Sequence, residues 1–414
     1  MLPDALQNTL TFILAGGEGG RLKPLTERRA KPAVPFGGPY RIIDFTLSNC
    51  IHSGLRRIYV LTQYQALSLE EHVRYAWNFL PRRLFQFISV RAPHHLVTGR
   101  WYSGTADAIY HNIDSIREEA PERVLILSGD HIYKMDYRRM LEEHMDHGAT
   151  ATIGAVKIPA SESSRFGIFE TDAGGRVLSF EEKPACGKEL PGEPGWCLGS
   201  MGIYLFETEA LVRHLKADAE REGSTRDFGR DLIPRMIQDS DVYAHHFRSV
   251  GQADDDPNMP YWRDVGTLDA YYEANLDLCR VKPQFNLYDE SWPIYSLWHN
   301  HPPAKTVLDE GDRRAEVVES LLCPGVIVSG GTVRRSILGN RVLVDEDAVI
   351  EDSIILDGVV VERGARIKKA IIDKWNVVPA GTTIGHDHDE DRKRYRVTDS
   401  GIVVVPRAKD VIRD

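Results

Sequence analysis

Apolar residues in the first two thirds of the chain fall into short runs separated by amphipathic stretches. Leu10 to Leu14, Arg57 to Thr62 and Val124 to Leu127 are apolar almost throughout, as strands covered on both faces are. Between such runs, apolar residues recur at helical spacing, as from Leu67 to Phe79. Alternating strands and helices with short connections indicate an α/β fold with a mainly parallel, doubly wound sheet.

A different period governs the last hundred residues. Apolar residues there recur in steps of five, six and six, so that each round takes seventeen residues. Neither a helix nor a single strand explains these steps, whereas a prism of three short strands per turn does. The pattern therefore predicts a parallel β-helix of hexapeptide-like repeats. Its inward residues are Val333, Leu338, Val344, Ile350, Ile355, Val361, Ile367, Ile372, Val378 and Ile384.

The two patterns are separated by a stretch without periodicity. Trp292 to Lys305 is rich in aromatic residues and prolines, which suits a connector between domains. We therefore predict a first domain over residues 1–291, a linker over 292–306 and a β-helix domain over 307–414. A chain of 414 residues is long enough for two such cores.

Composition and charge narrow the class of protein. With 42% hydrophobic and 27% charged residues, the chain reads as an ordinary soluble protein. Its formal net charge of −10 argues against nucleic acid as the main partner. The five cysteines include no CxxC pair, so neither a disulfide framework nor a zinc site is indicated. Without a signal peptide or an apolar run of membrane length, we expect a cytoplasmic protein with no membrane partner.

A glycine-rich loop follows the first apolar run. Glycines let the backbone turn sharply and let its N–H groups approach a ligand closely. The loop lacks the Gly-Lys-Ser/Thr triplet of Walker sequences and the third glycine of the dinucleotide fingerprint. A surface turn with solvated basic residues is the alternative, but cations on both sides of the loop favour phosphate binding. The residues concerned are Gly16, Gly17, Gly19, Gly20, Arg21, Lys23, Arg28, Arg29 and Lys31.

Carboxylates follow at positions suited to a metal. Asp130 comes just after the apolar run that ends at Leu127, and ligands of doubly wound sheets bind beyond the carboxyl ends of strands. Read by itself, such a residue is commonly a turn former. Opposite a phosphate loop it suits Mg²⁺, which binds one or two carboxylates together with phosphate oxygens. Asp264 is a plausible second ligand, and His131 a neighbour, since Mg²⁺ prefers oxygen.

Several motifs resemble those of one family. FILAGGEGGRLKPLTERRAKP is similar to the phosphate loop of the nucleoside-diphosphate-sugar pyrophosphorylases. RAKPAVPFGG followed by RIIDFTLSN is closer to one branch, the bacterial glucose-1-phosphate adenylyltransferases, or ADP-glucose pyrophosphorylases. GTADA, GDHIY, EEKP, SMGIY and YWRDVGT extend the resemblance over nearly the whole chain.

The resemblance implies a Rossmann-like nucleotidyltransferase domain followed by a left-handed parallel β-helix with regulatory and oligomerisation roles. It implies Mg²⁺-dependent conversion of ATP and α-D-glucose 1-phosphate to ADP-glucose and pyrophosphate, for glycogen biosynthesis. It also implies a homotetramer under allosteric control by small anionic metabolites.

Site residues follow from the same resemblance, position by position. Arg21 and Lys31 would grip the triphosphate, and Asp130 and Asp264 would hold Mg²⁺. Nucleotide contacts would come from Gly16, Gly17 and Gln63. Glucose 1-phosphate would be bound by Tyr102, Gly167, Glu182, Lys183 and Ser200. Effector contacts would come from Arg29, Arg41 and Lys369.

Two of these positions carry a further expectation from geometry. Glu182 and Lys183 are consecutive, so in a strand their side chains would point to opposite faces.

The sequence also departs from the family pattern, with Gly199 beside the sugar site and Pro35 where some relatives have a polar effector contact.

Two other functions stay open from the sequence, whereas a third, that of an acyltransferase, is disfavoured. A sister pyrophosphorylase with another base or sugar would share most of the loop. A non-enzymatic regulatory subunit would be expected to lose the charged residues of the site, all of which are present here. An acyltransferase, common among hexapeptide proteins, needs a histidine base, and residues 327–384 contain no histidine.

Overall fold

The computed structural model describes residues 2–92, 102–250, 260–310 and 313–408. The first part is built on a ten-stranded sheet with two small two-stranded sheets beside it. Its strands are β1 (Thr9–Ala15), β2 (Pro35–Phe36), β3 (Tyr40–Arg41), β4 (Arg57–Thr62), β5 (Phe87–Arg91), β6 (Arg123–Ser128), β7 (His131–Tyr133), β8 (Ala151–Pro159), β9 (Gly167–Thr171), β10 (Val177–Glu182), β11 (Glu189–Leu190), β12 (Glu193–Glu207), β13 (Val242–His246) and β14 (Trp262–Asp264).

Helices cover both faces of that sheet in the described part of the chain. They are α1 (Leu2–Gln7), α2 (Ile42–His52), α3 (Leu67–Ala76), α4 (Thr105–Tyr110), α5 (Ile113–Glu119), α6 (Tyr137–Asp146), α7 (Thr208–Ala219), α8 (Ile233–Asp239) and α9 (Leu268–Asp277), with α10 (His388–Arg392) near the end of the chain. Within the described residues no helix has the length and apolar character needed to span a membrane.

The predicted α/β class is confirmed, but the sheet is mixed. Strands β5, β4, β1 and β6 are parallel neighbours, as expected from their apolar runs. Beyond β6 the long strand β12 runs antiparallel to both β6 and β8, and β9 and β10 form an antiparallel pair. The expectation of a mainly parallel sheet therefore fails on this side. Only five residues separate β9 from β10, and so short a connection joins antiparallel strands.

The carboxyl ends of β1 and β6 lie side by side at one edge of the sheet. Leu14 pairs with Ser128 in the parallel register, and the Gly129 amide donates to the Leu14 carbonyl at 3.0 Å. A Cβ on Gly129 would lie 2.9 Å from Ile13 and from Ile43, so the turn there requires glycine. The glycine-rich loop and Asp130 consequently leave the sheet at the same edge, as predicted.

The C-terminal part is the predicted parallel β-helix. All ten predicted inward residues are buried, with exposures of 3% or less. Val333, Ile350, Ile367 and Ile384 stack in register on one face. The first strand of the stack, Lys305–Val307, spans the predicted boundary between the linker and the β-helix domain.

Three parallel sheets form the faces of this β-helix. The first contains Lys305–Val307, Ile327–Ser329, Leu343–Val344, Val360–Val361 and Val377–Val378; the second contains Glu316–Val318, Thr332–Arg334, Val349–Glu351, Arg366–Lys368 and Thr383–Ile384. The third contains Leu321–Leu322, Ile337–Leu338, Ile354–Ile355, Ala370–Ile372 and Val403–Val405, edged by Arg396–Val397. Asp309–Glu310 and Arg313–Arg314 form a separate two-stranded sheet.

The two parts share a hydrophobic core. Residues of the phosphate-loop segment and of α2, such as Leu22 and Phe45, belong to the same buried cluster as Ile337, Ile354 and Ile371 of the β-helix. Residues 278–304, all of which are described, form no helix or strand. The connector packs on the first part through the Trp292 indole, which donates to Asn49 Oδ1 at 2.9 Å.

Candidate active site

A cleft of about 810 Å³ opens beyond the carboxyl ends of the central strands. Its walls come from the glycine-rich loop, the ends of β4 and β6, the start of α4, and the turn after β10. The structure brings nine of the predicted site residues into this wall: Gly16, Gly17, Arg21, Lys31, Gln63, Tyr102, Asp130, Glu182 and Lys183.

The glycine-rich loop leaves its backbone open to the cleft. A Cβ on Gly17 or Gly20 would meet no atom within 4 Å, whereas a Cβ on Gly16 would lie 3.0 Å from the Gln63 side chain. Gly19 adopts a left-handed backbone conformation with φ of 63°, which favours glycine. The Thr26 hydroxyl donates to its carbonyl at 2.8 Å. The hydrogen bond from Thr26 thus fixes the loop at Gly19, while the backbone at Gly17 and Gly20 stays open to the cleft.

Lys31 lies between the two predicted metal carboxylates. Its Nζ donates to Asp130 Oδ2 at 2.7 Å and to Asp264 Oδ1 at 2.9 Å. Strand β14 delivers Asp264 by pairing with β7, which places Asp264 opposite His131. Sequence reasoning assigned Lys31 to the triphosphate and did not foresee its contact with both carboxylates. The lysine lies at the centre of the site's charge and is almost fully buried.

Mutual electrostatics keep all three groups ionised. Burial by itself raises the pKa of the Asp130 carboxyl, but Lys31 and His131 outweigh burial and hold that pKa well below its usual range. The same balance of burial against Lys31 and His131 lowers the pKa of Asp264. Burial lowers the pKa of Lys31, yet Asp130 and Asp264 overcome it and raise that pKa above its ordinary value.

The donor set fits a hard divalent cation. Ligand atoms of Asp130, His131 and Asp264 all lie within 4.8 Å of one another. Two carboxylate oxygens are what such a cation takes from a protein beside phosphate oxygens. Burial lowers the pKa of the His131 imidazole, whose ring packs on Trp262 at a centroid distance of 4.6 Å. His131 stays a neighbour of the two carboxylates in our prediction, because Mg²⁺ prefers oxygen ligands.

Glu182 and Lys183 turn toward each other at the end of β10. The Lys183 Nζ lies 3.0 Å from Glu182 Oε1, so the expectation that the two side chains point to opposite faces is wrong. The physical reason is the φ of 53° at Lys183, which ends the strand and its alternation. Positive φ in a non-glycine residue is uncommon and is often found at functional sites.

Two glycines make room for the Glu182 carboxylate. A Cβ on Gly167 would lie 2.9 Å from Glu182 Oε2, and a Cβ on Gly229 would lie 2.3 Å from it. Gly167 and Ser200 do not themselves form the described wall of the cleft. They contact residues that do, since the Ser200 and Tyr204 hydroxyls are 3.4 Å apart.

One wall of the cleft was not predicted from the sequence. Residues 225–229 dock against the start of α4, where a Cβ on Gly104 would lie 2.3 Å from the Arg226 carbonyl oxygen. The Thr105 hydroxyl donates to Asp227 Oδ2 at 2.9 Å, and Asp227 in turn caps the next helical turn. The GTADA motif could have indicated the glycine, but the docked segment has no apolar period of its own.

The predicted effector residues lie away from the cleft, where the first part meets the β-helix. Arg29 is 4% exposed and donates to both carboxylate oxygens of Asp373, at 2.9 and 3.1 Å. Arg41 donates to the Ala33 carbonyl at 2.6 Å. Lys369 donates to the Ser400 carbonyl at 2.5 Å. Arg29 and Arg41 are electrostatic neighbours, whereas Lys369 has its own partner on the β-helix.

Three cationic side chains, Arg29, Arg41 and Lys374, lie close together at this junction, beside carboxylates. Burial, aided by Arg41 and Arg29 and opposed by Asp357, lowers the pKa of Lys374 to about 8. Burial and Arg29 lower the pKa of Arg41 as well. A cavity of about 300 Å³ adjoins the junction, with Glu27, Arg28, Asn376, Tyr395 and Arg407 among its lining residues.

The fold and the site define a nucleotidyltransferase that carries a C-terminal hexapeptide domain. Residues 10–281 match the nucleotidyl transferase family, and residues 302–405 match the GlmU-like C-terminal hexapeptide family. Curated relatives named glucose-1-phosphate adenylyltransferase cover almost the whole chain. The relative from Hydrogenovibrio crunogenus is 48% identical over 97% of this chain and 94% of its own length.

Two further relatives bear the same name. The one from Nitrosomonas europaea is 48% identical over 96% of this chain and 92% of its own length. The one from Rhodopirellula baltica is 49% identical over 98% of this chain and 91% of its own length. The chain belongs to the glucose-1-phosphate adenylyltransferase family.

Proposed function

We propose that the protein transfers the adenylyl group of ATP to α-D-glucose 1-phosphate, giving ADP-glucose and pyrophosphate. The observation that carries this proposal is the placement of Lys31 between Asp130 and Asp264, in a cleft whose wall also holds Lys183. Such a cleft offers cations and a metal-binding pair to two phosphorylated substrates at once.

The chemistry needs little from the protein beyond placement and charge. The nucleophile is a phosphate monoester, which is already largely dianionic at neutral pH because its second pKa is about 6. One of its oxygens forms a bond to the α-phosphorus of ATP, and the bond from that phosphorus to pyrophosphate breaks. No general base is required, so catalysis rests on in-line positioning and on neutralising crowded anions.

The residues divide between the two substrates. Gly16, Gly17 and Gln63 bind the nucleotide, and Arg21 with Lys31 neutralises its triphosphate. A Cβ on Gly266 would lie 2.8 Å from both Arg21 Nη2 and Asp264 Oδ1, so glycine there lets these groups converge. Mg²⁺ is the cation we assign to Asp130 and Asp264, where it would supply charge stabilisation to the phosphates.

The sugar phosphate binds at the other side of the cleft. Lys183 holds its phosphate, and Glu182 accepts hydrogen bonds from sugar hydroxyls. Tyr102, Gly167 and Ser200 complete this half of the site. Support comes from the Gly167 and Gly229 positions, where any larger residue would collide with the Glu182 carboxylate.

A nucleotide panel tests the proposed reaction. With glucose 1-phosphate and Mg²⁺, kcat/KM for ATP should exceed that for UTP, GTP and dTTP by about 100-fold, because a site built for one base rejects others. Preference for another nucleotide would identify a sister pyrophosphorylase instead. No turnover with any of the four would favour a regulatory subunit and contradict the proposal.

The setting of the reaction follows from the family resemblance. We propose that ADP-glucose serves glycogen biosynthesis, that the enzyme acts in the cytoplasm and that it works as a homotetramer. The β-helix then serves structure and regulation, since residues 327–384 contain no histidine that could act as an acyltransferase base.

Regulation is proposed for the charged junction between the two parts. Arg29, Arg41 and Lys374 lie close together beside Asp44, Asp357 and Asp373, so the cluster offers several cationic donors to an anionic ligand. We assign Arg29 and Arg41 to the anionic group of a glycolytic intermediate, with Lys369 as a further contact from the β-helix. Coupling of about 1–3 kcal/mol is typical of such effectors.

Arg41→Ala should abolish activation by the effector while basal turnover persists, because Arg41 lies outside the catalytic cleft. Activity would be assayed against fructose 6-phosphate, fructose 1,6-bisphosphate, pyruvate and AMP, first with the parent. Arg363→Ala is the control, since Arg363 lies on the β-helix with 66% of its side chain exposed. An unchanged activation constant in a folded Arg41→Ala protein would move the effector site elsewhere.

A further inference from the structure

Arg165 lies close to the active-site carboxylate Asp264, and it comes from the turn before β9, which carries none of the other cations of the site. It ends the 3₁₀ turn Ala160–Arg165, which precedes β9, and 39% of its side chain is exposed. One guanidinium nitrogen, Nη1, donates to Glu162 Oε2 at 3.0 Å. The other, Nη2, lies 3.7 Å from Asp264 Oδ2. The arginine therefore extends from the local turn toward Asp264, although it does not belong to the described wall of the cleft.

Asp264 faces three cations. Lys31 Nζ lies 2.9 Å from Oδ1, while Arg21 Nη2 and Arg165 Nη2 lie 3.8 and 3.7 Å from Oδ2. Both arginine distances exceed that of a good hydrogen bond, so Asp264 does not occupy the donors of either guanidinium. Each guanidinium thus keeps donors for a further anion, and arginine suits phosphate because its planar fork can bind two oxygens.

Aromatic packing fixes where Arg165 stands. Its guanidinium carbon lies 5.5 Å from the centre of the Phe166 ring, and Phe166 packs on Trp262 at a centroid distance of 5.5 Å. Trp262 belongs to the same strand as Asp264. The Phe166 carbonyl also accepts the Lys183 amide at 3.0 Å. Phe166 therefore contacts both the strand that carries Asp264 and the turn that carries Lys183.

We infer that Arg165 is a substrate-binding residue that contacts the phosphate of glucose 1-phosphate as that phosphate approaches the α-phosphorus of ATP. The inference rests on the proposed function. Arg21 comes from the glycine-rich loop and faces the triphosphate, whereas Arg165 comes from the β9 side, next to Phe166 and Lys183. In the proposed reaction Lys183 holds the phosphate that acts as nucleophile, so Arg165, which lies on the Lys183 side of Asp264, is assigned to the sugar phosphate and not to the departing pyrophosphate.

Arg165→Met is the variant that tests this inference. Methionine keeps an apolar stem over the Phe166 ring and removes the charge. We expect kcat/KM for glucose 1-phosphate to fall about 30-fold, as for loss of a charge-assisted hydrogen bond, and KM for ATP to change by less than about threefold. Arg165→Lys restores a point charge and should recover part of the loss.

Glu162→Gln is the matched control. It removes the surface partner of Arg165 and leaves the arginine in place, so its kinetics should stay within about threefold of the parent. An equal loss in Glu162→Gln and Arg165→Met would show that only the local ion pair matters and would overturn the inference. Equal increases in KM for both substrates in Arg165→Met would also overturn it.

Calorimetry separates this inference from the proposed reaction. If the parent makes no ADP-glucose, the proposed function fails on its own account. Titration of the parent and of folded Arg165→Met with glucose 1-phosphate in the presence of Mg²⁺ still decides the role of Arg165. Weaker binding by about tenfold or more supports the inference, and equal binding overturns it.

Discussion

Asp130→Asn should lower kcat at least about 100-fold, on the order of 3 kcal/mol in the activation barrier, and leave the fold nearly unchanged. Asparagine keeps the shape of the side chain but loses the charge that would hold Mg²⁺. It also removes one of the two carboxylates that bind Lys31, whose Nζ would keep Asp264 as its partner at 2.9 Å. Steady-state kinetics at saturating Mg²⁺ measure the loss.

Asp114→Asn is a suitable control for this change. Asp114 lies on α5 with 87% of its side chain exposed and pairs with Arg117, so removing its charge should leave kcat within about threefold of the parent. Circular dichroism would verify that both variants fold. Activity of Asp130→Asn within about tenfold of the parent at saturating Mg²⁺ would refute the metal assignment.

Lys183→Gln should raise KM for glucose 1-phosphate about 100-fold and change KM for ATP little, because it removes an interaction with one substrate in its ground state. Lys183 sits in a left-handed backbone conformation before Pro184, and its side chain pairs with Glu182. Glutamine keeps a polar side chain, one atom shorter than that of lysine, and removes the charge.

Lys188→Gln provides the comparison for Lys183. Lys188 lies five residues further along, 70% exposed and paired with Glu170, outside the described wall of the cleft. Its replacement should leave both KM values close to those of the parent. If Lys183→Gln weakens ATP as strongly as glucose 1-phosphate, Lys183 belongs to the nucleotide half of the site.

The period of the apolar residues predicted the fold correctly in the β-helix, where a residue's place in the repeat decides whether its side chain points inward. The step of seventeen residues places Val333, Ile350 and Ile367 in one stack because every coil repeats the same geometry. Apolar runs likewise located the parallel centre of the main sheet. The antiparallel half escaped prediction because strand direction depends on pairing between segments far apart in sequence, such as β6 and β12.

Site residues were predictable where a short motif indicates the chemistry by itself. They were less predictable where contacts between distant segments determine the role of a residue. The glycine-rich loop and Asp130 met as expected, since parallel strands end at one edge. The contact of Lys31 with both carboxylates and the turn at Lys183 depend on backbone geometry that no spacing reveals. Arg165 begins the RFGIF stretch that contains Gly167, but its distance of 3.7 Å to Asp264 is set by the fold and not by residue spacing.

The shared core of the two parts bears on how the chain unfolds. Leu22 and Phe45 pack in one cluster with Ile354 and Ile371 across the junction. The Arg29–Asp373 pair crosses the same junction, and loss of one partner from a buried ion pair costs about 3–5 kcal/mol. If either part unfolds, the apolar residues that the other part buries against it become exposed to water. Unfolding by heat or denaturant should therefore be a single cooperative transition. The β-helix has its own sequence repeat, but we expect it to unfold together with the first part as one cooperative unit.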